Sequence, residues 1–198
     1  NYEAATSAAA RLTITPKAQT ISATAKSVAM GKTVKLGAKV TEGAGALSYK
    51  SSNTKVAKVS AKGVITPVKV GTATITLTAA ANGNYEATST TIKVTVTKGA
   101  QPMTVTARTA TVKYAKVKTA NQTLAVTKVL TVAKAQGKVT YKKVSGNAKV
   151  TIDAKTGKVT IKKGLAKKTY SIKVKVTAAG NANWKSGSKT VTFKVKVS

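Results

Sequence analysis

Apolar residues and lysines alternate along several segments of this 198-residue chain. Ile172, Val174 and Val176 are separated by lysines, and residues 193–197 read FKVKV. Because successive side chains of a β-strand point to opposite faces, this period of two gives each strand one apolar face and one lysine-bearing face. No long segment shows the 3.6-residue period of a helix. The pattern predicts an all-β fold in which two sheets bury their apolar faces against each other.

Internal repeats divide the chain into modules. Residues 12–19 (LTITPKAQ) match residues 94–101 (VTVTKGAQ) at an offset of 82, and residues 84–88 (NYEAT) match residues 1–5 (NYEAA). We therefore interpret residues 1–15 as the last strand of a preceding module, 16–98 as a complete module, and 99–198 as a second one. Each complete module has room for about seven short strands, as in tandem immunoglobulin-like β-sandwiches with nearly no helix.

The first complete module resembles the bacterial immunoglobulin-like domain of group 2. The resemblance rests on residues 47–60 (LSYKSSNTKVAKVS), 63–66 (GVIT) and 71–76 (GTATIT). The second module is similar to a diverged member, with Tyr141, Val150, Gly157 and Val159 retained. The resemblance implies extracellular repeats of bacterial surface proteins, without catalytic residues or a cofactor.

The residues that most catalytic and metal sites need are scarce. The chain has no His and no Cys, and its four acids are Glu3, Glu42, Glu86 and Asp153. Glu3 and Glu86 occupy the same place in successive repeats, which indicates a repeat feature and not an active site. No acidic cluster is present for calcium, and no run of apolar residues is long enough for a membrane helix. We predict no catalytic residues, no metal site, no cofactor and no membrane insertion.

Positive charge is concentrated in the second half of the chain. Residues 1–98 hold 13 basic and three acidic residues, a net charge of +10, whereas residues 99–198 hold 22 and one, a net charge of +21. Lysines of this kind keep the outer faces of sheets soluble, or they attract polyanions such as teichoic acid, sulfated glycans or DNA. Few arginines and aromatics are present for base reading and stacking. The candidate polyanion-binding residues are Lys138, Lys142, Lys143, Lys149, Lys155, Lys158, Lys162, Lys163, Lys167 and Lys168.

The apolar residues near the start of the chain lack a sandwich to close. Ala8, Ala10, Leu12 and Ile14 alternate like the closing strands of the modules. One interpretation is that they complete a sandwich in another chain by strand addition. The other is that they simply continue a longer row of modules.

These observations predict a non-catalytic structural or adhesive repeat of a secreted or cell-surface bacterial protein. It would act as a spacer stalk or as a building block of a fibre or layer, and the alternative is a polyanion-binding module. The expected partners are other repeats of the same protein, neighbouring chains, and anionic surface polymers or host glycans. Tyr2, Tyr85 and Trp184 share one repeat position and are expected to be packing anchors.

Overall fold

The computed structural model describes residues 2–3 and 9–198 and contains two compact units. Unit 1 comprises Asn1–Val28 and Thr33–Val96, and unit 2 comprises Ala29–Lys32 and Thr97–Ser198. Nearly all regular structure is β-strand, arranged in several sheets, so the predicted all-β immunoglobulin-like fold is confirmed. The module boundaries inferred from the repeats stay predictions.

The strands of the first sandwich follow one another through short turns. They are β1 (Thr20–Ser22), β2 (Lys26–Ala29), β3 (Val34–Lys35), β4 (Lys39–Glu42), β5 (Leu47–Ser51), β6 (Ala57–Val59), β7 (Val64–Pro67), β8 (Gly71–Ala79) and β9 (Thr88–Thr97). They form a four-stranded sheet in the order β2-β9-β8-β5, a three-stranded sheet β3-β7-β6 and the pair β1-β4.

The second sandwich repeats this arrangement strand for strand. Its elements are β10 (Thr104–Ala107), β11 (Thr109–Val112), α1 (Tyr114–Thr119), β12 (Gln122–Leu124), β13 (Leu130–Ala133), β14 (Val139–Ser145), β15 (Val150–Ile152), β16 (Val159–Ile161), β17 (Lys168–Ala178) and β18 (Gly187–Val197). The sheets are β11-β18-β17-β14, β12-β16-β15 and β10-β13. Each strand of the second sandwich therefore corresponds to one strand of the first.

The alternation in sequence is the alternation in burial. Ile172, Val174 and Val176 are buried, as are Phe193 and Val195, while the lysines between them are exposed. These side chains form the core of unit 2 with residues of the facing sheet such as Val159 and Ile161. Burial of a Val, Ile or Phe side chain stabilises the fold by about 1.5–3 kcal/mol, so the two-residue pattern sets which face of each sheet turns inward.

Two glycines let a tyrosine ring close the core in the same way in both units. Gly63 (φ +70°) and Gly157 (φ +68°) adopt the left-handed conformation. A Cβ at Gly63 would lie 2.9 Å from the Tyr49 ring, and a Cβ at Gly157 would lie 2.9 Å from the Tyr141 ring. Both positions therefore need glycine for its backbone conformation and for the space above the ring.

The six-residue helix α1 has no counterpart in the first sandwich. It follows β11 and inserts one turn before β12, with Val117 buried in the core of unit 2. The Gly164 amide donates a hydrogen bond to the Val117 carbonyl. So short a helix shows too little of a 3.6-residue period to be predicted. In the described part of the chain, no helix has the length and apolar character that a membrane crossing requires.

Candidate functional site

The ten candidate lysines do not form one surface. Lys142 lies on the outer face of the sheet β11-β18-β17-β14, whereas Lys155 and Lys158 flank the turn between β15 and β16 in the other sheet. Lys167 lies 5.4 Å from the centre of the Tyr114 ring, which holds its charge over an aromatic face. The remaining candidates outside Lys143 are exposed on loops and strand ends: Lys138, Lys149, Lys162, Lys163 and Lys168.

Lys143 forms hydrogen bonds within the fold. It is half-buried, and its Nζ donates hydrogen bonds to the carbonyls of Asn147 (2.5 Å) and Val150 (2.7 Å). Burial lowers the pKa of Lys143 from its ordinary value, because desolvation disfavours the charged ammonium. Lys149 is tied down similarly, since its Nζ donates to the Gly164 carbonyl at 3.0 Å.

One candidate, Lys142, shares a surface with four lysines outside the candidate set, and we call this surface the basic face. It is the outer side of the sheet β11-β18-β17-β14, where every second residue of each strand is exposed. Its lysines are separated by the hydroxyl groups of threonine and serine. Its members are Lys142, Lys173, Lys175, Lys194 and Lys196, with Thr109, Thr111, Thr140, Thr169, Ser171, Thr190 and Thr192.

Register brings these positive charges close together. Lys142 is directly opposite Lys175 in the ladder between β14 and β17. Directly opposite residues in an antiparallel pair have Cβ atoms about 5 Å apart, and like charges at that separation repel each other. Lys173 and Lys175 are two positions apart on one strand, as are Lys194 and Lys196, a spacing of about 7 Å.

A pocket opens on the basic face beside β11 and β18. It has a volume of about 250 Å³ and is lined by Ala107, Arg108, Thr109, Thr192 and Lys194. The backbone fixes its walls, since the Lys194 amide donates to the Arg108 carbonyl at 3.2 Å and the Arg108 amide donates to the Val129 carbonyl at 2.8 Å. Two positively charged residues and two threonines thus line one small concave space.

The acid of unit 2 lies in a different sheet from the basic face. Asp153, the one acid whose sequence position falls in unit 2, lies in the turn between β15 and β16. There it accepts hydrogen bonds from the Thr156 amide and hydroxyl, both at 2.7 Å, and these bonds lower the pKa of Asp153. Within residues 2–3 and 9–198, Lys17 forms an ion pair with Glu42 in unit 1. The same described residues contain no group of His, Cys, Asp and Glu that could hold a metal ion.

Sequence reasoning missed the basic face and its pocket. The sequence predicts that the lysines of residues 173–175 and 194–196 face solvent, but it does not include them or Arg108 among the candidate polyanion-binding residues. The signal was the same two-residue alternation, but only the register between β17 and β18 places Lys173 beside Thr192 and Ser171 beside Lys194.

The proposed strand-exchange residues are exposed where the structure describes them. Leu12 and Ile14 expose 84% and 81% of their surface, and no strand is formed over residues 9–16. Ala10 is also exposed, and Ala8 lies outside the described residues. The residues that match Leu12 and Ile14 at the offset of 82, Val94 and Val96, expose 0% and 1%.

A glutamine near the start of each unit forms hydrogen bonds to loops that flank the strands of the four-stranded sheet. Gln19 Nε2 donates to the carbonyls of Ala80 (2.7 Å) and Glu86 (2.8 Å), and its Oε1 accepts from the Gly45 amide at 2.8 Å. Gln101 Nε2 donates to the carbonyls of Gln136 (2.9 Å) and Lys185 (3.2 Å), and its Oε1 accepts from the Gln136 amide at 2.8 Å. We call this arrangement the glutamine clamp. The sequence carried its signal, because both glutamines end the matched octapeptides.

An aromatic residue directly precedes the last clamp partner in each unit, and it lies in the corresponding turn of both units. Tyr85 and Trp184 are both half-buried, and each forms a parallel bridge, Tyr85 with Lys17 and Trp184 with Gly99. A Cβ at Gly99 would lie 2.7 Å from the Trp184 ring. These contacts are those of a packing residue. Tyr2, the third aromatic of the set, is fully exposed.

One family model matches part of the chain. Residues 29–81 match the model described as "Intimin, immunoglobulin-like domain". The matched stretch is similar to a bacterial immunoglobulin-like domain. The prediction of such a domain is therefore confirmed, with the intimin domain as the family that matches. The bacterial immunoglobulin-like domain includes Tyr49 and Gly63, the pair whose counterparts in unit 2 are Tyr141 and Gly157.

Several solved structures are similar to this chain at low sequence identity. Mouse cadherin-23 EC22-24 shares 13% identity with a TM-score of 0.40, over 92% of this chain and 62% of that chain. Human protocadherin-24 EC1-2 shares 16% identity with a TM-score of 0.42, over 87% of this chain and 95% of that chain. An endo-fucoidan hydrolase of glycoside hydrolase family 107 shares 16% identity with a TM-score of 0.36, over 92% of this chain and 28% of that chain. No curated protein matches the sequence significantly.

Proposed function

We propose that this chain is a non-catalytic structural and adhesive repeat segment of a secreted or cell-surface bacterial protein. The observation that carries the proposal is the match of residues 29–81 to the immunoglobulin-like domain of intimin, in a chain whose two units have the same strand order. We further propose that residues 16–98 and 99–198 are successive modules, and that residues 1–15 form a closing strand of the same kind as those of the modules.

The repeated glutamine clamp supports a structural role. Gln19 and Gln101 each join residues that are far apart in sequence, such as Gln19 to Glu86 and Gln101 to Lys185. Gln19 is buried and Gln101 is half-buried. A side-chain amide held by several hydrogen bonds specifies one geometry, because breaking any of them in a water-poor site leaves a polar group unsatisfied. Modules fastened this way suit a spacer stalk or a building block of a fibre or layer.

The surface location can be tested on intact bacteria that produce the protein. Fab fragments raised against the folded chain should label unbroken cells, with labelling equal before and after lysis, and should reduce attachment between cells or to surfaces. A cytosolic protein of the same cells serves as the control that becomes accessible only after lysis. Labelling that appears only after lysis would contradict the proposal.

We also propose that neighbouring copies of this chain are partners through residues 10–14. The support is the difference in burial between Leu12 and Ile14 and their repeat counterparts Val94 and Val96. A strand with one apolar face gains stability when a sheet edge accepts its backbone hydrogen bonds and buries that face. The chain should therefore self-associate at high concentration, and a variant without residues 1–15 should be monomeric by light scattering. If the intact chain and the variant are both monomeric, strand addition is contradicted and the rest of the proposal is unaffected.

A further inference from the structure

We propose that the basic face of unit 2 binds a sulfated polysaccharide, with one sulfate ester held in the pocket formed by Arg108, Thr109, Thr192 and Lys194. This binding activity goes beyond the structural role proposed above and does not depend on it. Binding to heparin, desulfated heparin and DNA distinguishes a sulfated polysaccharide from other polyanions, nucleic acid above all.

The pocket has the chemistry that a tetrahedral oxyanion requires. The Arg108 guanidinium offers paired N–H donors in a planar fork, and Lys194 adds a second full charge. Thr109 and Thr192 supply hydroxyl donors on the same walls. A volume of about 250 Å³ accommodates a sulfate together with part of the sugar ring that carries it.

Within unit 2, Arg108 and Lys194 have no competing carboxylate. Asp153 is the single acid among residues 99–198, and Thr156 and Lys155 satisfy it in a turn of the other sheet. The remaining charges of the basic face are all lysines. An anion that enters the pocket therefore meets no repulsion from the surrounding sheet and displaces no internal salt bridge.

The ladder extends the binding surface beyond the pocket. Lys142 and Lys175 are directly opposite each other, and Lys173 lies two positions from Lys175 on the same strand. A bound anion between Lys142 and Lys175 converts their mutual repulsion into two attractions. A linear polymer with regularly spaced sulfates can satisfy the pocket and this pair at the same time.

The side chains of the basic face favour a sugar over a nucleic acid. Most residues between the lysines are threonine and serine, whose hydroxyls can hydrogen-bond to sugar hydroxyls and sulfate oxygens. Recognition of single-stranded nucleic acid relies on aromatic rings that stack on bases, and the described residues of this face include none. The flat sheet also lacks a helix or ribbon that could enter a groove of a duplex.

The test is binding of the full chain to immobilised heparin, a sulfated polysaccharide, measured by surface plasmon resonance at several salt concentrations. The double variant Arg108→Gln with Lys194→Gln removes the two charges of the pocket. The matched control, Lys155→Gln with Lys158→Gln, removes the same number of charges from the turn in the other sheet. Chemically desulfated heparin and a DNA duplex of matched charge are the comparison ligands, and thermal unfolding verifies that each variant is folded.

We expect the pocket variant to lose affinity for heparin about tenfold or more, and its salt dependence to weaken by roughly two charge contacts. The control should change less than about threefold, because exposed charges outside a site contribute only through the screened overall field. Desulfated heparin should not bind. If the double variant fails to fold, Arg108→Lys keeps the charge but not the fork, and it should still lower heparin affinity measurably more than Lys155→Arg.

Three results would overturn the proposal. Absence of heparin binding by the unmodified chain, or equal losses in the pocket and control variants, would show that no site exists there. Binding of desulfated heparin with undiminished affinity would show that sulfate is not the recognised group. DNA that binds as tightly as heparin and loses the same factor in the pocket variant would assign the face to nucleic acid.

Discussion

Lys142 and Lys175 are direct cross-strand partners on an exposed sheet face, although like charges at such positions destabilise a sheet. Solvent and salt screen their repulsion, and the buried residues beneath them, such as Val174 and Val176, stabilise the sheet strongly enough to tolerate it. The pair shows that the two faces of this sheet contribute differently to the stability of unit 2. The inner face of the sheet contributes hydrophobic burial, whereas the outer face carries charge that the fold itself does not need.

Substitutions on the two faces of β17 should therefore have opposite effects. Val174→Asp places a carboxylate in a fully buried site and should cost several kcal/mol, enough to unfold unit 2. Lys175→Glu creates an attractive pair with Lys142 and should stabilise the unit by about 0.5 kcal/mol. Urea unfolding followed by the fluorescence of Trp184, the single tryptophan, reports on unit 2. Equal shifts of the two midpoints would contradict the assignment of faces.

The glycine beneath Tyr141 should tolerate substitution less well than an open glycine of similar conformation. Gly157→Ala meets the Tyr141 ring at 2.9 Å and Val126 at 2.7 Å, in addition to the left-handed backbone. We expect a loss of about 2–3 kcal/mol in the free energy of unfolding. Gly164→Ala has φ +74° and only the flexible Lys149 Nζ nearby at 3.4 Å, so it should lose about 1 kcal/mol. Similar losses in the two variants would mean that the tyrosine contact is unimportant.

Removal of the glutamine clamp should destabilise unit 2. In Gln101→Leu the Gln136 amide and two carbonyls lose their partners, and we expect a cost of about 2 kcal/mol. Gln122→Leu is the control, because Gln122 bonds only to carbonyls within six residues of itself and is more accessible to water. Both are measured by Trp184 fluorescence in urea. A smaller effect for Gln101→Leu than for Gln122→Leu would contradict the structural role of the clamp.

Asp153 should titrate below the range of an ordinary aspartate. Its folded pKa is lowered by hydrogen bonds from Thr156 and Lys155, so Asp153 stabilises the fold above its unfolded pKa. That contribution is lost as the pH falls through the folded pKa. Since Asp153 is the only aspartate in the chain, its carboxyl carbon gives a single signal in an NMR titration. Thr156→Val should raise the pKa towards its usual value, and an unchanged titration in that variant would argue against the hydroxyl bond.

The alternation of residues 172–176 and 193–197 was enough to predict the strands and their buried faces, because period-two burial depends only on local backbone geometry. The matched octapeptides ending in Gln19 and Gln101 likewise predicted repeated modules, whose boundaries remain predictions. Pairing between strands was not predictable, because register depends on the turns and on the whole core. The basic face exists because strand pairing brings residues of four strands together. Lysines chosen by their density in the sequence, such as Lys155 and Lys163, therefore do not share a surface with Arg108.

The parallel pairing of β11 with β18 has a mechanical consequence. β11 stands near the start of unit 2 and β18 ends it, and the two strands run in the same direction with Thr109 opposite Lys194 and Val112 opposite Val197. Tension applied through the chain ends pulls the two strands along their axes in opposite directions. All hydrogen bonds between them are then loaded together in shear, instead of opening one after another as in an unzipping hairpin. A protein built from such units would withstand drag from flowing liquid at the points where the chain enters and leaves each unit.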